Sequence, residues 1–138
     1  VASPDYLRAN GDPGSPAELR DHRIISFTGL AAGGDWRFET EGKPTAISLT
    51  PHLEVNDAAA AIAAAEAGFG ITTTLSYMVG ERIRQGRLAP VLQSCWPRPI
   101  PVQLVYPHSR LLAAKVRTFV DWAGPQLAAA LPQLTARS

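Results

Sequence analysis

The apolar positions of this chain change period several times along its length, and each change marks an element. Arg23–Phe27, RIISF, is a compact β-branched run of strand length; TGLAAGGD after it has two adjacent glycines and no periodicity, and reads as a loop. WRFET alternates Trp36, Phe38 and Thr40 with Arg37 and Glu39, EGKP turns, and TAISLT returns. Residues 36–50 are therefore expected to form a two-stranded antiparallel pair with one wet face. HLEV is extended, Asn56 is placed as N-cap of a helix over Ala58–Ala67, and Gly68 stands at C′. GITTTL resumes a strand, and Ser76 is read as the cap of a helix carrying Tyr77, Met78, Val79 and Ile83, stopped by Gly86. RLAPVL is extended, QSCWPRPIP is a proline-rich crossing, and Val102–Tyr106 is a last strand. In SRLLAAKVRTFVDWAG, Leu112, Val116, Phe119, Val120 and Ala123 recur at helical spacing.

Two short elements precede the first strand. Ser3-Pro4 turns into a helical stretch with Tyr6 and Leu7 on one side, closed by Asn10-Gly11. In GSPAELRDH, Ser15 and Glu18 have capping-box spacing and Pro16 suits the first helical position. Strands and helices alternate throughout, which favours an α/β fold with a mixed, mostly parallel sheet and helices on both faces.

The helix over Ala58–Ala67 carries almost no side-chain area, and alanine buries far less apolar surface than leucine. Its compensation is closeness: small side chains let a helix lie tight against a sheet or against a second copy of itself. Its N-terminus, just after a strand, presents free N–H groups and a partial positive charge suited to a carboxylate or phosphate. Packing alone and packing with a ligand or dimer contact both remain open on this pattern.

Composition narrows the picture. The chain has 138 residues with 46% hydrophobic content, enough for the core of one domain. Lys and Arg number 13 against 12 Asp and Glu, so no global field draws it toward nucleic acid or an anionic membrane. The single Cys95 excludes an internal disulfide and favours a reducing compartment. No apolar run approaches the roughly 20 residues that span a bilayer, and the expected localisation is cytoplasmic, with no membrane partner. The sequence opens at Val1 inside what reads as the end of a strand, the expectation for a piece of a longer protein.

No catalytic constellation is visible, and the chain is expected not to be an enzyme and to need no cofactor or metal. His22, His52 and His108 are scattered, and His52-Leu53-Glu54 lacks the cysteine pair that a zinc deaminase requires. Gly68-Phe69-Gly70 is followed by a strand where a dinucleotide fingerprint demands a helix. Asp57 has no partner residue that would make it a catalytic base. Cys95 has only Arg98 as a nearby cation and reads as an inert thiol ahead of a redox sensor.

Taken in order, VASPDYLRANGDPGSPAELRDHRII, W-R-F, LEVNDAAAAIAAAEAGFGITTTLSYMVGERIRQGRLAPVL and VQLVYPHSRLLAAKVRTFVDW resemble the effector-binding domain of LysR-type transcriptional regulators, from residue 1 to about 123. The resemblance implies a type 2 periplasmic-binding-protein-like fold, two α/β lobes with a small effector between them, carboxylates among the candidates. Residues 1–93 would be the second regulatory lobe. Residues 94–138 would hold the hinge return, the last strand and helix of the other, incomplete lobe, and a tail. It also implies ligand contacts at Phe27, Thr28 and Gly29 and at Asn56, Asp57 and Ala58. Both stretches lie at the exit ends of strands, where an open α/β sheet forms its crevice. A homo-oligomer is implied too: a dimer through the Ala58–Ala67 helix and the Ile71–Thr74 strand, and a tetramer for the full-length protein. DNA would be bound only through an N-terminal winged helix-turn-helix outside this sequence. The rival reading is a solute-binding protein of similar fold serving a transporter. Val102–Tyr106, short of strand partners, is expected to pair with another chain or to be displaced.

Overall fold

Three short parallel strands with β-branched and other apolar residues at their centre organise the molecule. In the computed structural model, which describes residues 1–30, 35–106 and 114–134, β1 (Ile24–Phe27) lies between β4 (Leu53–Val55) and β5 (Ile71–Thr72). Ile25 registers with Leu53 and with Thr72, and Phe27 with Val55. Val1 continues the sheet beyond β5, exchanging backbone hydrogen bonds with Thr72, and Ala2 bridges Ala89.

Side chains alternate across β1 and so build two cores. Ile24 faces a cluster with Tyr6, Leu19, Trp36, Phe38, Ile47, Leu49 and Leu92, while Ile25 faces Ala61, Ile62, Ala65, Val79 and Leu88. On the first side stand α1 (Pro4–Asn10), a 3₁₀ turn over Pro16–Asp21, and the antiparallel hairpin β2 (Asp35–Thr40) and β3 (Lys43–Ser48). On the second lie α2 (Ala58–Glu66) and α3 (Ser76–Arg84). The hairpin matches its expected alternation, with Trp36 and Phe38 buried and Arg37 exposed. Glu41 and Gly42 at its tip both take positive φ, as two-residue turns that follow the strand twist require.

The helix ends differ in detail from the sequence expectations. Asp57, not Asn56, is the N-cap of α2: its carboxylate accepts the Ala60 N–H at 2.9 Å. Gly68 does stand just past the end, at φ 78. Ser76 is the first residue of α3, not its cap; Leu75 occupies the cap with no side-chain hydrogen bond. The Ser15 side chain does not accept the Glu18 N–H either, which donates to the Ser15 carbonyl at 3.1 Å. Its hydroxyl donates to the Glu18 carboxylate at 2.8 Å, and Gly14 N–H donates to the other oxygen at 2.9 Å. Those two bonds, the Gly14 one foremost, hold the Glu18 carboxyl below its ordinary value.

Beyond Val91 the expectations fail more widely. Residues 101–106 carry no strand, and Val102, Val105 and Tyr106 are exposed. A strand is held by its neighbours' hydrogen bonds, and none of the described strands pairs with this stretch. α4 runs Ala114–Leu134, where a tail was expected after Gly124, and packs against α3. Gln126–Leu131 are strong helix formers, and they extend the helix past Pro125. Of the residues at helical spacing, Ala123 is buried, whereas Phe119 is exposed. Leu112 and His108 lie outside the described residues.

Candidate functional site

The parallel pairing of β1 with β4 brings two distant stretches to one edge of the sheet. Thr28 N–H donates to Val55 O at 3.0 Å, so the loop leaving β1 starts beside the residue that leads into Asn56 and the cap of α2. Residues 27–29 and 56–58 thus lie at the neighbouring exit ends of β1 and β4, joined at Val55 by the Phe27 register and the Thr28 hydrogen bond. Thr28, Gly29, Asn56 and Asp57 are exposed, and Phe27 and Ala58 half-buried. Together they form an open shelf.

Each of the six has a different physical part in that shelf. The Phe27 ring folds back over Gly29: a Cβ placed at Gly29 would stand 2.3 Å from the ring's Cζ. Glycine is what lets this aromatic wall lie down on the loop, a relation invisible in sequence. Asp57 directs its carboxylate at the Ala60 N–H and its carbonyl at the Ala61 N–H. Its charge is thus committed to the helix, and the Ala58 and Ala59 N–H groups are left facing outward from the first turn. The hydroxyl of Thr28 and the amide of Asn56 add polar groups that no described residue engages. Thr72, in contrast, spends its hydroxyl on Ile25 O at 3.0 Å inside the sheet.

Other residues weighed from the sequence resolve differently. Tyr6 is 3% exposed and takes the Arg23 N–H on its hydroxyl at 2.9 Å, while the Arg23 guanidinium lies between the Tyr6 and Phe69 rings. This cluster ties α1 to the start of β1. Cys95 packs half-buried against the Trp36 core, and Arg98 pairs with Glu39 at 3.4 Å instead of approaching the thiol. Among the described residues no three His, Cys, Asp or Glu side chains gather as metal ligands. His22 and His52, scattered in sequence, line one cavity of about 250 Å³ where β1 and β4 begin, at the opposite end of these strands from the shelf.

Residues 1–128 match the family model described as the LysR substrate binding domain. The chain belongs to that family.

Among curated relatives of this LysR domain, an HTH-type transcriptional repressor of Pseudomonas aeruginosa is 32% identical over 123 residues, 88% of this chain and 39% of its own length. The HTH-type transcriptional regulator CrgA of Neisseria meningitidis is 28% identical over 129 residues, 92% of this chain and 42% of CrgA. The solved regulatory domain of CrgA aligns at a TM-score of 0.73 with 25% identity, over 91% of this chain and 62% of that one. The regulatory domain of AphB from Vibrio vulnificus aligns at 0.72 over the same shares, and at 24% identity shows the fold. The fold is thus that of LysR regulatory domains, the periplasmic-binding-protein-like type, and the relatives are transcriptional regulators. This LysR domain spans about two fifths of the length of those curated relatives. No described helix is long and apolar enough to cross a membrane.

Proposed function

We propose that this LysR domain is the ligand-sensing half of a transcriptional regulator that binds a small carboxylate effector against the shelf formed by Phe27, Thr28, Gly29, Asn56, Asp57 and Ala58. The observation that carries the reading is the convergence of the β1 loop and the α2 N-terminus through the Thr28–Val55 hydrogen bond. Thr28, Asn56 and the first-turn N–H groups donate to the carboxylate, and Phe27 gives the apolar wall. Residues 1–93 act as one lobe, and 94–138 lead back toward a second. Ligand shifts the balance between open and closed lobes by its differential affinity, and DNA binding through a winged helix-turn-helix outside this sequence follows.

Calorimetric titration with a panel of aromatic and aliphatic carboxylates tests the shelf. Thr28→Val and Asn56→Ala are each expected to weaken the best binder about 5- to 10-fold, the worth of one hydrogen bond, with unchanged circular dichroism. If both variants bind it as the parent does, the effector sits elsewhere.

We also propose a dimer through α2. The face of α2 away from the sheet exposes Ala59, Ala60, Ala63 and Ala67, a smooth stripe on which a second helix can approach closely. The outer edge of β5 at Thr72 is taken by Val1, so Thr73 and Thr74 rather than the full strand are left for such a contact. Ala63→Glu places a charge on the stripe and is expected to halve the mass seen by light scattering. A parent chain that is monomeric at every concentration removes the proposal.

A further inference from the structure

The cavity where β1 and β4 begin, at the opposite end of these strands from the shelf, is lined by Arg20, His22, Ile24, Ser48, Thr50 and His52 along with two leucines, and none of these residues is acidic. Hydrogen bonds within the fold determine which nitrogens its imidazoles turn outward. Ile24 N–H donates to His52 Nδ1 at 3.3 Å, so that nitrogen is an acceptor and the neutral ring carries its proton on Nε2. Tyr6 already accepts the Arg23 N–H, and its own buried hydroxyl proton has His22 Nδ1, 3.3 Å away, as its acceptor. His22 is 7% exposed, and with the Tyr6 hydroxyl as donor it is the Nε2–H tautomer. Neither Nε2 has a protein partner among the described residues. A metal ion would need the Nε2 lone pairs, and hence protons on both Nδ1 atoms, against the Ile24 N–H and the Tyr6 hydroxyl. What the cavity offers is donors: two imidazole N–H groups, two hydroxyls and a guanidinium.

We propose that this cavity is a second ligand site, taking a small oxyanion, phosphate or carboxylate, through Arg20 and the Nε2–H groups of His22 and His52. Its volume of about 250 Å³ lies below that of ordinary organic-ligand pockets and suits a compact anion with a few waters.

Long-range proton–nitrogen NMR of the imidazoles, with inorganic phosphate and acetate titrated separately at constant ionic strength, decides it. Expected are Nε2–H tautomers for both rings and saturable shifts of both in the millimolar range. The anion that saturates first identifies the class. The exposed double variant Arg20→Gln, His52→Gln retains an acceptor for Ile24 N–H and is expected to weaken binding about tenfold or more. A His52 Nδ1–H tautomer, Zn²⁺ capture by both Nε2 atoms, or shifts that survive the double variant would overturn the assignment. So would phosphate perturbing only the Thr28 and Asn56 amides, which would place the anion on the shelf instead.

Discussion

Gly70→Ala is expected to destabilise the domain by about 3 kcal/mol, near the upper end for overpacking a close contact. A Cβ there would stand 2.3 Å from Arg23 O and 2.9 Å from Arg23 C, both backbone atoms. The same carbonyl accepts the Ile71 N–H at 2.8 Å, so moving it away from the new methyl loosens the bond by which β5 joins β1. No side-chain rotamer relieves the clash. Gly68→Ala makes the contrast: its φ of 78 strains an alanine, yet the nearest atom to a Cβ there is Ser3 Oγ at 3.5 Å. That variant is expected to lose only about 1 kcal/mol. Urea denaturation of both, with m-values checked for constancy, makes the comparison. Equal losses at the two positions would mean that Arg23 gives way and that the β1–β5 approach is not tight.

Ile62→Ala is expected to cost about 3–4 kcal/mol, within the usual range for removing a buried isoleucine. α2 lies on the sheet through Ala61, Ile62 and Ala65, and Ile62, 2% exposed, is the one long side chain it sends inward. It meets the cluster of Ile25, Val79 and Leu88, with Leu53 and Val55 at the margin. Alanine's better helix propensity returns only about 0.4 kcal/mol. Ile62→Val, one methyl shorter, is expected to lose about 1 kcal/mol. Thermal and urea unfolding of the pair measure this. A loss below about 1 kcal/mol for Ile62→Ala would mean that the flanking alanines close over the space, and that α2 is held by its Asp57 cap and the Glu66–Arg82 and Glu66–Arg87 ion pairs.

Much of the scaffold was legible because period carries burial. Trp36, Phe38 and Ile47 alternate in sequence and are buried together; Ile24 and Ile25 sit side by side and feed the two opposite cores. The helix starts were read less well: Asn56 and Asp57 are both good caps, whereas at α3 a good cap residue, Ser76, is passed over for Leu75, which offers no capping side chain. Which one takes the cap depends on where the preceding strand ends, and β4 stops at Val55 because its pairing with β1 stops there. Val102–Tyr106 has the composition of a strand, and the described residues offer it no partner.

The six shelf residues show the same division. Position after a strand, and the resemblance to LysR regulators, pointed to both stretches; the sheet order β4-β1-β5 is what makes them neighbours. Local pattern thus settled the hairpin, the alanine helix and the α/β class, because periodicity and propensity act between residues a few positions apart. Tertiary structure alone decided that Gly29 lies under the Phe27 ring, that Gly70 meets the Arg23 carbonyl, and that His22 and His52 share a cavity. Those are contacts between chain segments, set by packing and strand register, and no spacing along the sequence encodes them.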